Sequence, residues 1–214
     1  MEVSLLDTSL VLGESAVFTP EFSLPSRWFI ERSVFSERFI EATGIVNRHI
    51  SPMDELQMAR KAIASLKETS HFDPEKCAAI VVASSSLFSK DPGLGDLRVD
   101  REQESLFQRW PKVSEIAGAL KQEINPRIKD DRAIGINWGC NGFIRGIEML
   151  RNLNELEPLR EGQFYLLVTT NRLSSRVNFN SPTSGLFGDS ATATMITGFG
   201  DTRYDPKFVV RYAR

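Results

Sequence analysis

Residues Ala133–Leu150 read AIGINWGCNGFIRGIEML. The stretch opens as a short apolar strand, Ala133 to Asn137, and turns sharply over Trp138–Gly142. Beyond the turn, Phe143, Ile144, Ile147 and Leu150 recur at helical spacing, so the hydrophobic period changes from strand to helix within a few residues. Cys140 stands at the junction, between Gly139 and Gly142. A turn of this kind lifts a sulfur out of a sheet. The helix behind it aims unpaired N–H groups and the positive end of its dipole at the thiol. That environment favours the thiolate, the nucleophilic form of cysteine. A lone cysteine is more often a small, inert core residue, and from this context alone both readings stay open.

Working outward, the chain reads as alternating strands and helices. Upstream, Val113, Ile116, Ala117, Leu120 and Ile124 mark one face of a helix that ends near Asn125-Pro126. Ala78–Ala83 is an unbroken apolar run, the pattern of a strand covered on both faces. Before it, Ser51-Pro52-Met53-Asp54 resembles a helix start, with Ser51 as N-cap and Pro52 at the first helical position. The helix is predicted to run to about Thr69. Short helical pieces are expected near residues 27–31 and 36–41, and an initial strand within 2–19. Downstream, Phe164–Thr169 is a second buried strand. Gly185–Thr197 is a glycine-marked turn entering a third, and another strand begins at Phe208. Residues 87–110 form a long polar loop of both charge signs. It reads as either a solvated loop or a segment that contacts a partner or acts as a lid. The order implies a single α/β layer with a largely parallel sheet.

Totals narrow the function classes. With 214 residues, 41% hydrophobic and 25% charged, the chain can supply a real core. A net charge of −2 carries no footprint for nucleic acid. No apolar run approaches membrane-spanning length. The first residues lack the basic start of a signal peptide, so a reducing cytoplasm is the expectation. Two cysteines and two histidines without ligand spacing argue against a metal site. Cys77 leads into an apolar strand and reads as core; His49 and His71 have no sequence feature that brings them to Cys140. The Gly185/Gly188 pair reads as a tight turn rather than a phosphate cradle. Asp189 is expected to accept backbone amides across it.

Four segments, in order, resemble one family. Asn137–Phe143 (NWGCNGF) is similar to the nucleophile motif of β-ketoacyl-ACP synthase III type condensing enzymes, which have the thiolase fold. Leu186–Ala191 (LFGDSA) resembles their Phe-Gly-Asp-Gly-Ala turn. Thr43–Ile50 (TGIVNRHI) resembles their Thr-Gly-Ile-x-x-Arg-x-Ile, and Ile80–Ser85 (IVVASS) the strand after their first long helix. The resemblance implies a thiolase-like half over residues 1–214: a mixed, mostly parallel five-stranded sheet with helices on both faces. It implies Cys140 as the acyl-accepting nucleophile, with its own backbone N–H as one oxyanion donor. The family's His and Asn belong to a C-terminal half, expected on a companion segment or subunit.

The resemblance also implies a CoA or acyl-carrier-protein thioester as substrate, no separate cofactor, no metal, and a dimer. Gly188 and Asp189 become the structural turn. Trp110 and Trp138 become candidates for the acyl pocket or the dimer contact, with a packed aromatic as the plainer role of each. Three departures stand out. Arg38 and Ala42 occupy positions where CoA-using members carry Trp and Arg. The position of a further CoA-contacting Arg falls near Ser181; the loop 87–110 is longer than the family's, and Trp138 stands where small residues are common. The loss of the adenine grip favours a carrier-protein donor or a different CoA pose. The other reading is a non-catalytic structural subunit of a heterodimeric condensing enzyme.

Overall fold

The computed structural model describes residues 10–21, 23–31, 36–86, 112–175, 186–198 and 208–210. Its centre is a mixed sheet built from β1 (Leu10–Phe18), β4 (Cys77–Ala83), β5 (Ala133–Ile136), β6 (Phe164–Arg172), β7 (Asp189–Gly198) and β8 (Phe208–Val210). A separate ribbon pairs β2 (Ser23–Pro25) with β3 (Asn47–His49). Helices α1 (Ser26–Glu31), α2 (Glu37–Thr43), α3 (Glu55–Thr69), α4 (Val113–Ile124) and α5 (Gly142–Leu156) complete the described elements.

The sheet order is β5-β4-β6-β7-β1-β8. β4 pairs in parallel with β5 and β6, while β7 runs antiparallel to both β6 and β1. Four of the five long strands therefore point the same way, which is the mostly parallel, mixed sheet expected. The three-residue β8 adds a sixth strand at the edge, antiparallel to β1.

Strand alternation divides the core between two faces. Ile80 and Val82 of β4 join Leu166, Val168, Ala193 and Met195 against Met58, Ile63 and Leu66 of α3 and Ile116 and Leu120 of α4. Ala79 and Val81 join Tyr165, Leu167 and Ile196 against Ile147 and Leu150 of α5. Both faces of β4 are thus covered, which explains its uninterrupted apolar sequence. Cys77 begins that strand, 2% exposed, and burial pushes its thiol up to about 12. It is core, as its surroundings predicted.

The start of α3 differs from expectation. Its N-cap is Asp54, not Ser51: Asp54 Oδ1 accepts from Gln57 N–H at 2.8 Å, and Gln57 Oε1 accepts from Asp54 N–H at 3.0 Å. This reciprocal capping box satisfies two orphan donors and wins over the Ser-Pro signal three residues earlier. Ser51 is used otherwise, as described below.

Two glycines set close approaches. A Cβ on Gly135 of β5 would lie 2.3 Å from the backbone of Val113 and Ser114, so the first turn of α4 rests directly on the strand. A Cβ on Gly146 would meet Leu167 Cδ1 at 2.5 Å, which lets α5 lie close to the sheet. The outward side of α5 is mixed rather than wholly apolar. Ile144 and Leu156 are 58% and 83% exposed, but Arg145–Glu148 and Arg151–Glu155 form ion pairs along the same helix.

Candidate active site

β4, β5 and β6 end at the same edge of the sheet, and β7 begins there. The carboxyl ends of parallel strands are where open α/β sheets build their sites, because the chain leaves the sheet there and helices begin. The segment after β5 is the predicted strand–turn–helix. Gly139 takes a φ of +55°, in the left-handed region that favours glycine. Its N–H donates to Asn137 Oδ1 at 3.3 Å, and the N–H of Asn141 donates to the carbonyl of Trp138 at 3.2 Å. The turn winds through a single 3-10 turn, Gly139–Asn141, into α5. Cys140 lies on this turn with an exposed, free thiol. A Cβ on Gly142 would stand 3.1 Å from Ala83 Cβ, so the first turn of α5 is seated on the end of β4.

Beside this turn, Trp138 is 45% exposed. The Arg145 guanidinium sits over its ring, 5.1 Å from the centroid, and Arg145 Nη1 donates to Glu148 Oε2 at 2.7 Å. Trp138 is therefore a braced surface aromatic two positions before Cys140, not a core filler. Trp110, the loop 87–110 and Ser181 lie outside the described residues.

The Gly188-Asp189 turn has a structural role. Asp189 is buried, and its carboxylate accepts from Ser51 N–H at 2.7 Å, Ser174 N–H at 2.8 Å and Ser174 Oγ at 2.6 Å. One side chain thus joins the segment before α3, the turn after β6 and the first residue of β7. Gly188 leaves room for the β3 backbone: a Cβ there would meet His49 O at 3.2 Å.

A second polar network at this edge was not legible in the sequence. Ser86 Oγ donates to the buried Glu55 Oε1 at 2.9 Å and accepts from Arg172 N–H at 2.9 Å. Thr170 Oγ1 donates to the Glu55 carbonyl at 2.7 Å, and Asn171 Oδ1 accepts from both N–H and Oγ of Ser85 at 2.7 Å. These bonds stitch the ends of β4 and β6 to the start of α3. The available signal was the abrupt change from apolar to Ser and Thr/Asn where the two strand runs end.

The histidines do not join Cys140. His49 Nδ1 lies 2.7 Å from the carbonyl of Pro20, holding the β2–β3 ribbon, and His71 is exposed beyond α3. Among the described residues no group of three metal-ligating side chains occurs, and no helix is long and apolar enough to cross a membrane.

The family model for 3-oxoacyl-[acyl-carrier-protein (ACP)] synthase III matches residues 134–206, from the strand below Cys140 to beyond the Asp189 turn. Over this segment the chain is similar to β-ketoacyl-ACP synthase III. The β-ketoacyl-[acyl-carrier-protein] synthase III of Acholeplasma laidlawii (strain PG-8A) is 26% identical over 156 residues. That match covers 72% of this chain and 42% of the relative. The 3-oxoacyl-[acyl-carrier-protein] synthase III of Aquifex aeolicus VF5 superposes with a TM-score of 0.66 at 20% identity, over 88% of this chain and 53% of that structure. The priming β-ketosynthase of the R1128 polyketide pathway gives 0.65 at 22% identity, over 94% and 53%. At these identities the structures establish the thiolase-like fold. The chain spans about half the length of these relatives. Arg38 and Ala42, which stand where the resemblance places a CoA grip, are both exposed on α2.

Proposed function

We propose that this chain is the nucleophile-bearing part of a condensing-type acyltransferase. The Cys140 thiolate attacks the carbonyl carbon of an acyl thioester carried by an acyl carrier protein or CoA. Negative charge moves to the carbonyl oxygen, where the Cys140 backbone N–H is one oxyanion donor. Collapse breaks the donor C–S bond. The departing thiolate takes up a proton, and acyl-Cys140 remains. A second substrate then takes the acyl group from sulfur: a malonyl-type carbanion forms a C–C bond, a hydroxyl an ester, an amine an amide. The thioester is a substrate, and no separate cofactor enters.

One observation carries this reading: an exposed free thiol on a tight turn at the N-terminus of a 15-residue helix, at the carboxyl ends of the parallel strands. The helix dipole and the orphan N–H groups of its first turn favour an anion there. The match over residues 134–206 supports it, and the carrier protein in the relatives' names supports a carrier-protein donor. The acid–base groups are proposed to reside on a second half of the fold, since His49 is engaged with Pro20. A dimer is proposed through β5, which ends the sheet order among the described residues and there leaves a strand edge for pairing.

The test is peptide mass spectrometry after incubation of the intact assembly with acyl-CoA and acyl-carrier donors. An acyl adduct on the Cys140 peptide, absent in Cys140→Ser, is expected. No adduct with any donor, together with activity that survives Cys140→Ala, would reduce the chain to a structural subunit.

A further inference from the structure

The opposite edge of the sheet carries a different feature. There the N-terminal ends of β4 and β6, the turn before β5 and the C-terminal ends of α4 and α5 surround a cavity of about 270 Å³. Arg127, Lys129, Arg132 and Arg160 line it against Glu75 and Glu157, so four cations face two carboxylates in a chain whose total charge is −2. The two helix C-termini offset roughly half a charge each. Arg132 is only 12% exposed and donates to Glu157 Oε2 at 2.6 Å, while Lys129 Nζ shares that oxygen at 3.6 Å. Glu157 is thus committed to these two. Among the described residues, the guanidinium groups of Arg127 and Arg160 make no ion pair, so the uncompensated charge lies with them.

Ile128 and Leu159 give the cavity apolar wall as well. Planar guanidinium forks match phosphate oxygens two at a time, which a lone ammonium cannot do.

We propose that this cavity binds a small phosphate-bearing molecule. Its phosphoryl group is held by Arg127 and Arg160, with Lys129 as a further donor, and its organic part rests against Ile128 and Leu159. The proposal is independent of Cys140 and its chemistry.

Isothermal titration calorimetry of the full chain with inorganic phosphate and pyrophosphate, at constant ionic strength, tests it. Pyrophosphate is expected to saturate with a Kd below about 1 mM. Arg127→Gln and Arg160→Gln, both at exposed positions, are expected to weaken it by ~10-fold or more each. Lys61→Gln, the same charge change on the exposed side of α3, should leave it unchanged. Circular dichroism shows that each variant is folded. Absence of saturable binding to the unsubstituted chain overturns the proposal. So does equal weakening by Lys61→Gln, or undiminished binding in both arginine variants.

Discussion

Asp189 offers the sharpest test of how the carboxyl edge of the sheet, where Cys140 lies, is held together. Three donors converge on its buried carboxylate at 2.6–2.8 Å: Ser51 N–H, Ser174 N–H and the Ser174 hydroxyl. Hydrogen bonds to a charged acceptor contribute about 1.5–3 kcal/mol each, and a buried donor left without a partner costs about 1–3 kcal/mol. These terms overlap, because the same donors appear in both. A total near 3–5 kcal/mol is therefore expected for Asp189→Ala. Asp189→Asn keeps the shape and one good acceptor but places an N–H₂ against a donor, and should cost roughly 2–3 kcal/mol. Ser174→Ala removes a single hydroxyl contact and should cost about 1 kcal/mol. Urea unfolding of the three variants measures the series as a shift in midpoint at constant slope. The expected order is Ser174→Ala, then Asp189→Asn, then Asp189→Ala. If Asp189→Ala costs under about 1 kcal/mol, the carboxylate does not join these segments and the reasoning fails.

Gly135→Ala should destabilise by about 3 kcal/mol or more, because the new methyl meets α4 backbone rather than a side chain that can turn away; a stability change under about 1 kcal/mol would mean that α4 does not rest on β5. Asp54→Ala should lose about 1 kcal/mol of stability through the α3 cap, whereas a larger loss from Gln57→Ala than from Asp54→Ala would be hard to square with that capping box. At pH 7–8 iodoacetamide should label Cys140 and spare Cys77, which is pushed up to about 12 and buried. The sign follows from burial favouring the neutral thiol: the Cys77 contribution is intact below its ordinary 9.0 and is lost as pH rises from there toward 12. Equal labelling of both thiols in the folded protein would contradict this. Arg145→Ala should uncover the Trp138 ring and shift its fluorescence to the red, with Arg145→Lys retaining part of the cation–π contact; identical spectra would show that the stacking is not populated.

Much of this molecule was readable residue by residue where neighbours in sequence are also neighbours in space. The unit from Ala133 to Leu150 is local: an apolar strand, a glycine at positive φ and a helix face of period 3.6 specify one another within 18 positions. Helix α4 was equally plain, since its apolar face needs no knowledge of what covers it. The start of α3 shows where local reading stops. Ser51-Pro52 carries a good start signal, yet the Ser51 N–H is taken by Asp189, 138 positions away. Nothing in the local sequence marks Glu55 and Ser86 for burial. They are buried because the ends of β4 and β6 and the start of α3 meet there and satisfy each other's hydrogen-bonding groups.

The same division applies to Cys140. The sequence by itself determined that a cysteine stands between glycines at a strand-to-helix junction, because backbone period and glycine freedom are local properties. It also determined the fully covered β4, whose apolar residues on both faces demand layers above and below. Only the tertiary structure decided that Cys140 is exposed at the shared carboxyl edge of three parallel strands, an edge where Asp189 and Glu55 tie distant segments together. Those contacts join residues tens to more than a hundred positions apart. They form only when sheet order and helix packing bring the strand ends together, which no local pattern encodes.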